Sequence, residues 1–335
     1  MVIAIDAMGG DSAPEEIVKG VVQAAQETDG RLALVGNAAR LEALLTPEEQ
    51  ALVNIVSAES VVGMDEPPAR ALRGKRDSSL AVAVDMVRRG DAHAVVSAGN
   101  SGAFMAMALT SLGRVSGVDR PAIAIPVPTP AGERILLDAG ANVDCHPEHL
   151  LQFAILGSVY CERALAVESP RIGLLSIGTE QSKGNELTRA ANALLREAPV
   201  NYVGYVEGND IFTGRADVIV CDGFVGNVLL KTGEGLSQAI LGGLRQMVRG
   251  SFLAKVGLLL MYPALRHMKQ RYDYASYGGA LLLGIKGICV VCHGRSDARA
   301  IRNAVKVAER AVQGRIVEAM ANACEGLESS AFQQA

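Results

Sequence analysis

Ten short runs of mostly β-branched and aliphatic residues recur along the chain: VIAID (2–6), LALVG (32–36), VNIVS (53–57), AVVSA (94–98), AIAIPV (122–127), RILLD (134–138), IGLLSI (172–177), YVGYVE (202–207), VIVCD (218–222) and ICVVCH (288–293). Most are continuously apolar and do not alternate, the pattern of strands covered on both faces. Between them lie segments of helical spacing at 15–27, 80–89, 102–112, 148–165, 186–196, 226–248 and 297–323. Strand and helix in alternation predict an α/β fold, a doubly wound sheet in a three-layer arrangement. No Pro-, Gly- or Ser-rich linker divides the chain, so residues 1–325 are expected to form a single domain with 326–335 as a frayed tail.

Six runs end in a polar or ionisable residue followed by small ones: Asp6 before AMGGD, Ser97 before AGNSG, Asp138 before AGAN, Glu207 before GND, Asp222 before GFVGN and His293 before GRSD. Ligands of open α/β sheets bind beyond the carboxyl ends of strands, so the six loops are expected to line one cleft. Any one of them alone reads equally well as a tight turn that caps a helix. In SAGNSGAF (97–104) the small residues let a ligand approach the backbone, and the first N–H groups of the next helix lack partners there. Such a cradle suits phosphate, although the stretch is neither a Walker A loop nor a G-x-G-x-x-G fingerprint. DGFVGNVLLK (222–231) repeats the logic, with Asn227 and Lys231 on one helical face. Lys183, in QSKGNEL, is a further cation at a helix start or an ordinary surface lysine.

Other chemistries fit poorly. ICVVCHG matches the C-x-x-C-H haem pattern, but on a strand Cys289 and Cys292 point to opposite faces. Cys145 and Cys292 each precede a histidine, an adjacency that seldom joins thiol to imidazole on a regular element. No H-e-x-x-H or EF-hand spacing occurs, and Asp138 with Asp144 reads as capping as readily as metal binding. The six cysteines lack framework spacing and read as reduced thiols. A start without a basic segment or cleavage-like site gives the expectation of no signal peptide and a cytoplasmic chain.

Of the 335 residues 49% are hydrophobic and 20% charged, enough for a sizeable core. The net charge of −4 argues against a general nucleic-acid surface. The distribution is uneven, for no acidic residue falls between Glu234 and Asp273 while Arg245, Arg249, Lys255, Arg266, Lys269 and Arg271 all do. In that segment (about 245–275) Leu258, Leu259 and Leu260 interleave with the bases, as in an arm that meets anionic lipid or an acidic protein, or buries its apolar face in a dimer. Its longest apolar stretch, Val256–Leu265, contains a glycine and a proline and is too short to span a bilayer.

IAIDAMGGDSAPE, VVSAGNSGA, RPAIAIPVPT, LLDAGANVDCHPEHLLQFA, GLLSIGTEQSKGNEL, VEGNDI, ADVIVCDGFVGNVLLK, YGGALLLG and VCHGRSDARAI, taken in order from about residue 2 to about 322, resemble the PlsX family of phosphate acyltransferases from bacterial phospholipid synthesis. The resemblance implies an isocitrate/isopropylmalate dehydrogenase-like fold. It also implies transfer of a fatty acyl group from acyl carrier protein to inorganic phosphate without a cofactor or metal. Family members are homodimers peripherally attached to the inner face of the cell membrane, and their product feeds a glycerol-3-phosphate acyltransferase. Ser12 stands where the family pattern has His, and Ser101 where Thr is common.

On that footing Ser97, Gly99, Asn100, Ser101 and Gly102 are expected to hold phosphate. Lys183 and Asn185 would neutralise phosphate or the oxyanion, Asn227 with Lys231 would orient the acyl carbonyl, and His293 would give a proton to sulfur. Asp6, Gly9, Gly10, Asp11, Asp138, Asn142, Glu207 and Asp222 would support them. Alignment of two bound reactants supplies on the order of 7–11 kcal/mol of such a barrier, so direct attack by phosphate needs no enzyme nucleophile. An acetyl-phosphate-forming transferase acting on acetyl-CoA is the nearest rival enzyme, a dehydrogenase of the same fold lacks its nucleotide fingerprint, and a non-catalytic membrane scaffold is the rival from another class.

Overall fold

The computed structural model describes residues 1–130, 132–249, 252–272 and 277–325, so the expected tail lies outside the described residues. The strands are β1 (Val2–Asp6), β2 (Arg31–Gly36), β3 (Val53–Ser57), β4 (Ala94–Ser97), β5 (Ala122–Thr129), β6 (Gly132–Leu137), β7 (Arg171–Leu175), β8 (Asn201–Val206), β9 (Val218–Val220), β10 (Ala280–Leu283) and β11 (Ile288–Val291). The helices of the first half are α1 (Glu15–Ala25), α2 (Ala38–Glu42), α3 (Pro47–Gln50), α4 (Pro68–Gly74), α5 (Ser79–Arg89) and α6 (Ser101–Ser111). Those that follow are α7 (Pro147–Ala164), α8 (Glu186–Glu197), α9 (Gly223–Arg249), α10 (Phe252–Tyr272), α11 (Ala298–Gln313) and α12 (Ile316–Cys324).

All the strands join one sheet, ordered β3-β2-β1-β4-β11-β10-β5-β6-β9-β7-β8. Successive side chains of a strand point to opposite faces, and both faces are covered. Ile3 and Ile5 belong to one buried cluster with Val18 of α1, Phe153 of α7 and Ile301 of α11, whereas Ala4 belongs to a second with Leu80 and Val84 of α5 and Phe104 of α6. Each fully buried Ile, Leu or Phe contributes about 1.5–3 kcal/mol. That explains why the runs read as continuously apolar, and the three-layer expectation holds.

The sheet is not uniformly parallel. β3, β2, β1, β4 and β11 pair in parallel, as do β6, β9, β7 and β8. β10 is antiparallel to β11 and to β5, and β5 is antiparallel to β6. Followed strand by strand, these pairings make the second half run opposite to the first. The carboxyl ends of β1, β4 and β11 therefore open at one edge, here the first, and those of β6, β7, β8 and β9 at the opposite, second edge. This corrects the expectation that six loops line a single cleft: Asp6, Ser97 and His293 share the first edge, and Asp138, Glu207 and Asp222 share the second. The segment at 297–323 also differs from expectation, being two helices broken where Arg315 takes a left-handed backbone with φ 48°.

Candidate active site

At the first edge Asp6 is buried, accepting Ser97 Oγ at 2.7 Å and the Met8 N–H at 3.3 Å. Ser97 Oγ in turn accepts the Gly99 N–H at 3.0 Å. Burial pushes the Asp6 carboxyl above the usual carboxylate range, against the pull of these hydrogen bonds. Ser97 thus spends its only hydroxyl proton on Asp6 and shapes the loop beneath any ligand. The loop after β1 lies directly on the loop after β4, because a Cβ at Gly9 would stand 2.4 Å from Asp6 Oδ2 and 2.9 Å from the Gly99 backbone. Gly10 turns with φ 115°, and exposed Asp11 is tied to the third loop by its N–H, 2.8 Å from the Gly294 carbonyl.

Asn100 caps α6, its Oδ1 accepting the Ala103 N–H at 2.9 Å. Ser101 and Gly102 follow in the first helical turn, where N–H groups have no intrahelical acceptor and the helix end carries partial positive charge. Ser101 is exposed. The expected anion cradle is therefore present as backbone, but one part of it needs correction. The Asn100 amide nitrogen donates to the carbonyls of Gly63 at 3.2 Å, Met64 at 2.8 Å and Glu66 at 2.9 Å, so its side chain serves the protein and not a phosphate. The segment it holds, Gly63–Pro68, escaped the sequence reading. Its signal is the cluster GMDEPP, a turn-rich stretch between an expected strand and helix.

His293 closes β11's loop at this edge. Its Nδ1 accepts the Arg295 N–H at 3.1 Å, which places the proton of the neutral ring on Nε2. Burial, helped by the charges of Arg295 and Lys231, holds the imidazole below its ordinary pKa, while Glu234 and Asp11 pull the other way. The ring is neutral around pH 7, a hydrogen-bond donor and a poor proton source.

At the second edge Asp138 is fully buried and saturated. Its Oδ1 accepts the N–H groups of Ile123 at 2.9 Å, Gly140 at 3.2 Å and Ala141 at 3.1 Å. Oδ2 accepts the Asn142 N–H at 2.7 Å and its side-chain amide at 2.9 Å. Burial raises the Asp138 pKa against these donors. The Asn142 amide also reaches the Pro121 carbonyl at 2.7 Å, so both residues knit the loop together. α9 begins on this loop. The Gly223 N–H donates to the Asn142 carbonyl at 2.7 Å, and a Cβ at Gly226 would lie 1.9 Å from the Asp138 carbonyl oxygen. Gly226 thus admits a helix to a loop, where the sequence suggested access for a ligand.

Asp222 Oδ1 accepts the Val225 N–H at 2.9 Å. Asn185 caps α8 through the Thr188 N–H at 2.8 Å. Glu207 follows β8, its N–H bonded to Asp210 Oδ2 at 3.0 Å. Lys183 is exposed with its stem over Gly178, and it forms no ion pair among the described residues. Asn227 is exposed and lies against Gly140.

α9 connects the two edges. Asn227 sits over Gly140 at the second edge, while Lys231 and Glu234, paired at 3.3 Å, act electrostatically on His293 at the first. From Asn227 to Glu234 the helix rises about 10 Å. α9 thus carries exposed Asn227 at the second edge and, one to two turns on, the Lys231–Glu234 pair that faces His293's loop.

The thiols are packing groups. Cys289 and Cys292 join opposite apolar clusters and burial pushes each up to about 12. Burial likewise raises Cys145 to about 11. Among the described residues no group of three His, Cys, Asp or Glu side chains could hold a metal. Two surface concavities, one on α1 and one between α11 and Tyr277, lie away from both edges and hold none of the expected site residues. On α9 and α10 Met247, Leu253, Leu259 and Leu260 are at least 74% exposed, and Arg245, Lys255 and Arg266 are exposed beside them, while Leu258 is half-buried. The side chains of Arg249, Lys269 and Arg271 lie outside those described. Among the described residues no helix is long and apolar enough to cross a membrane.

The model of a family described as "Fatty acid synthesis protein" matches residues 1–319. A phosphate acyltransferase of Heliobacterium modesticaldum is 52% identical over 323 residues, 96% of each chain. One from Pelotomaculum thermopropionicum is 51% identical over 98% of this chain and 96% of its own. Among solved structures, a phosphotransacetylase from Streptococcus pyogenes superposes with TM-score 0.63 at 16% identity, covering 95% of this chain and 94% of that one. A 4-hydroxythreonine-4-phosphate dehydrogenase from Klebsiella pneumoniae does so with TM-score 0.56 at 15% identity, covering 93% and 99%. These likenesses establish the dehydrogenase-like fold.

Proposed function

The chain belongs to the phosphate acyltransferase family of fatty acid synthesis proteins, and from that membership we propose that it moves a fatty acyl group from an acyl carrier protein thioester to inorganic phosphate. The observation that supports this most is the course of α9, which carries exposed Asn227 at the loop after β6 and Lys231 where its charge acts on His293, at the edge that also holds the first turn of α6. Phosphate rests on the N–H groups of Ser101 and Gly102 with Lys231 beside it. Asn227 orients the thioester carbonyl, and Lys183 faces the developing oxyanion. A phosphate oxygen attacks the carbonyl carbon, the C–S bond breaks, and the electron pair leaves on sulfur. A thiolate of ordinary pKa, about 8.5, departs without a protonated imidazole, which matches a neutral His293 that gives a hydrogen bond from Nε2.

Incubation with long-chain acyl carrier protein and labelled phosphate tests the reading by the appearance of an acid-labile acyl phosphate. Turnover with acyl-CoA alone would favour a phosphotransacetylase-like donor, and no thiol release at all would favour a scaffold. A kinetically competent acyl group on a side chain would end the direct-displacement account.

The role of His293 makes its own prediction. The pH dependence of kcat for the unmodified protein and His293→Gln should share the same ionisations between pH 6.5 and 8.5, because a depressed imidazole pKa places its titration below that window. An inflection near neutrality that vanishes in His293→Gln would show the ring to be an acid after all.

The exposed apolar and basic side chains of α9 and α10 suit a lipid surface and an acidic carrier protein, and the same arm suits a homodimer. We expect Lys255→Glu with Arg266→Glu to lower affinity for anionic vesicles or carrier protein about tenfold at low ionic strength, with the difference fading at high salt. Sedimentation of vesicles and carrier-protein titration measure it; unchanged binding would leave the arm to subunit contact. A peripheral place on the inner membrane face would hand the labile product to a glycerol-3-phosphate acyltransferase.

A further inference from the structure

The Asn100 side chain does more than a helix cap requires. Its oxygen satisfies the Ala103 N–H, and its amide nitrogen, with two hydrogens, faces three carbonyls of one short segment, those of Gly63, Met64 and Glu66. Asn100 is only 9% exposed, while Gly63, Met64, Asp65, Pro67 and Pro68 are exposed around it. The segment bridges two of the three loops at the first edge. Pro68 packs so near α6 that a Cβ at Gly102 would stand 3.0 Å from its Cγ, and Met64 reaches the loop after β11, where a Cβ at Gly294 would stand 2.7 Å from its Cε. Its other fastening is Glu66, which pairs with Lys75 at 2.8 Å and accepts the Gly63 N–H at 3.2 Å.

We propose that Gly63–Pro68 is a strap forming one wall of the anion cradle, and that Asn100 is the positioning residue that ties it to the first turn of α6. The inference rests on the reading that phosphate sits on that turn. Serine, aspartate or threonine would cap α6 as well as asparagine; only an amide caps with one atom and donates to carbonyls with the other. With the strap tied, the first-turn N–H groups face a walled recess. With it loose, water reaches them and the anion loses part of its enclosure.

Three variants separate positioning from charge. Asn100→Ser keeps a cap and frees the strap from α6; Glu66→Gln and Lys75→Met loosen its other fastening, the Glu66–Lys75 pair, and change the local charge in opposite directions. Hydrogen exchange of amides 61–66 and steady-state kinetics with phosphate as the varied substrate are the readouts. The proposal expects faster exchange in all three, a KM for phosphate raised about fivefold or more, kcat within about threefold, and recovery in Lys75→Arg. Faster exchange with an unchanged phosphate KM would overturn it, as would KM shifts of opposite sign in Glu66→Gln and Lys75→Met, which mark a charge effect. Unchanged exchange in Asn100→Ser would remove the tether itself. If the unmodified protein makes no acyl phosphate, the underlying functional reading fails instead, and the exchange data still decide whether Asn100 holds the strap.

Discussion

Asp138→Asn is expected to destabilise the fold by about 3 kcal/mol or more, because a buried donor left without an acceptor costs about 1–3 kcal/mol. The carboxylate accepts five N–H groups, three on Oδ1 and two on Oδ2. An amide can offer an oxygen to only one of those sets, so whichever way it turns, at least two donors meet another donor. The loss spreads beyond the loop. α9 starts on it, with Gly226 against the Asp138 carbonyl and the Gly223 N–H on the Asn142 carbonyl. A displaced loop therefore moves Asn227 and Lys231 as well. Urea or thermal unfolding measures the effect; a loss below about 1 kcal/mol would mean that the loop relaxes to re-pair its donors, and that Asp138 is not the anchor of this edge.

Lys183→Met should do the reverse, leaving the unfolding midpoint where it is while slowing acyl phosphate formation tens of fold or more, on the order of 10² for a lost charge-stabilising donor. The side chain is exposed, lies over Gly178 and forms no ion pair among the described residues, so nothing in the fold depends on its charge. Met keeps the stem and removes only the ammonium. A fall in kcat with little change in the KM for either substrate would mark an interaction made in the transition state. Near-normal turnover would take Lys183 out of the site and leave Lys231, on α9, as the cation that serves the reaction.

Several elements were legible because their physics is local. Continuously apolar runs located ten of the strands, and small residues after Ser97 and Asp222 located helix starts at α6 and α9. β10 escaped because ALLL, at 280–283, has four residues and no β-branched one, so neither length nor composition separates it from a helix. The short helices α2, α3 and α4 are below the length at which a 3.6-residue period can be read. AIAIPV and RILLD are separated by six residues, too few for the crossover that parallel neighbours need, so as neighbours β5 and β6 are antiparallel; which later strands then run with β6 is set by pairing in the sheet, since β7, β8 and β9 do and β11 does not.

By itself the sequence determined most of the segments that become strands and helices and that both faces of the sheet are covered, because each depends on neighbours within a few positions. The tertiary structure alone decided how the loops are grouped and which of their polar atoms are already spent. Asn100 reads as a ligand group until the carbonyls of Gly63, Met64 and Glu66, more than thirty positions earlier, are found on its amide. Asp138 reads as an organiser of donors, but only the structure shows that all five it accepts belong to its own loop and the start of β5. The reason is that a hydrogen-bonding atom has a fixed capacity, and what fills it is set by distance in space, which no local pattern of residues records.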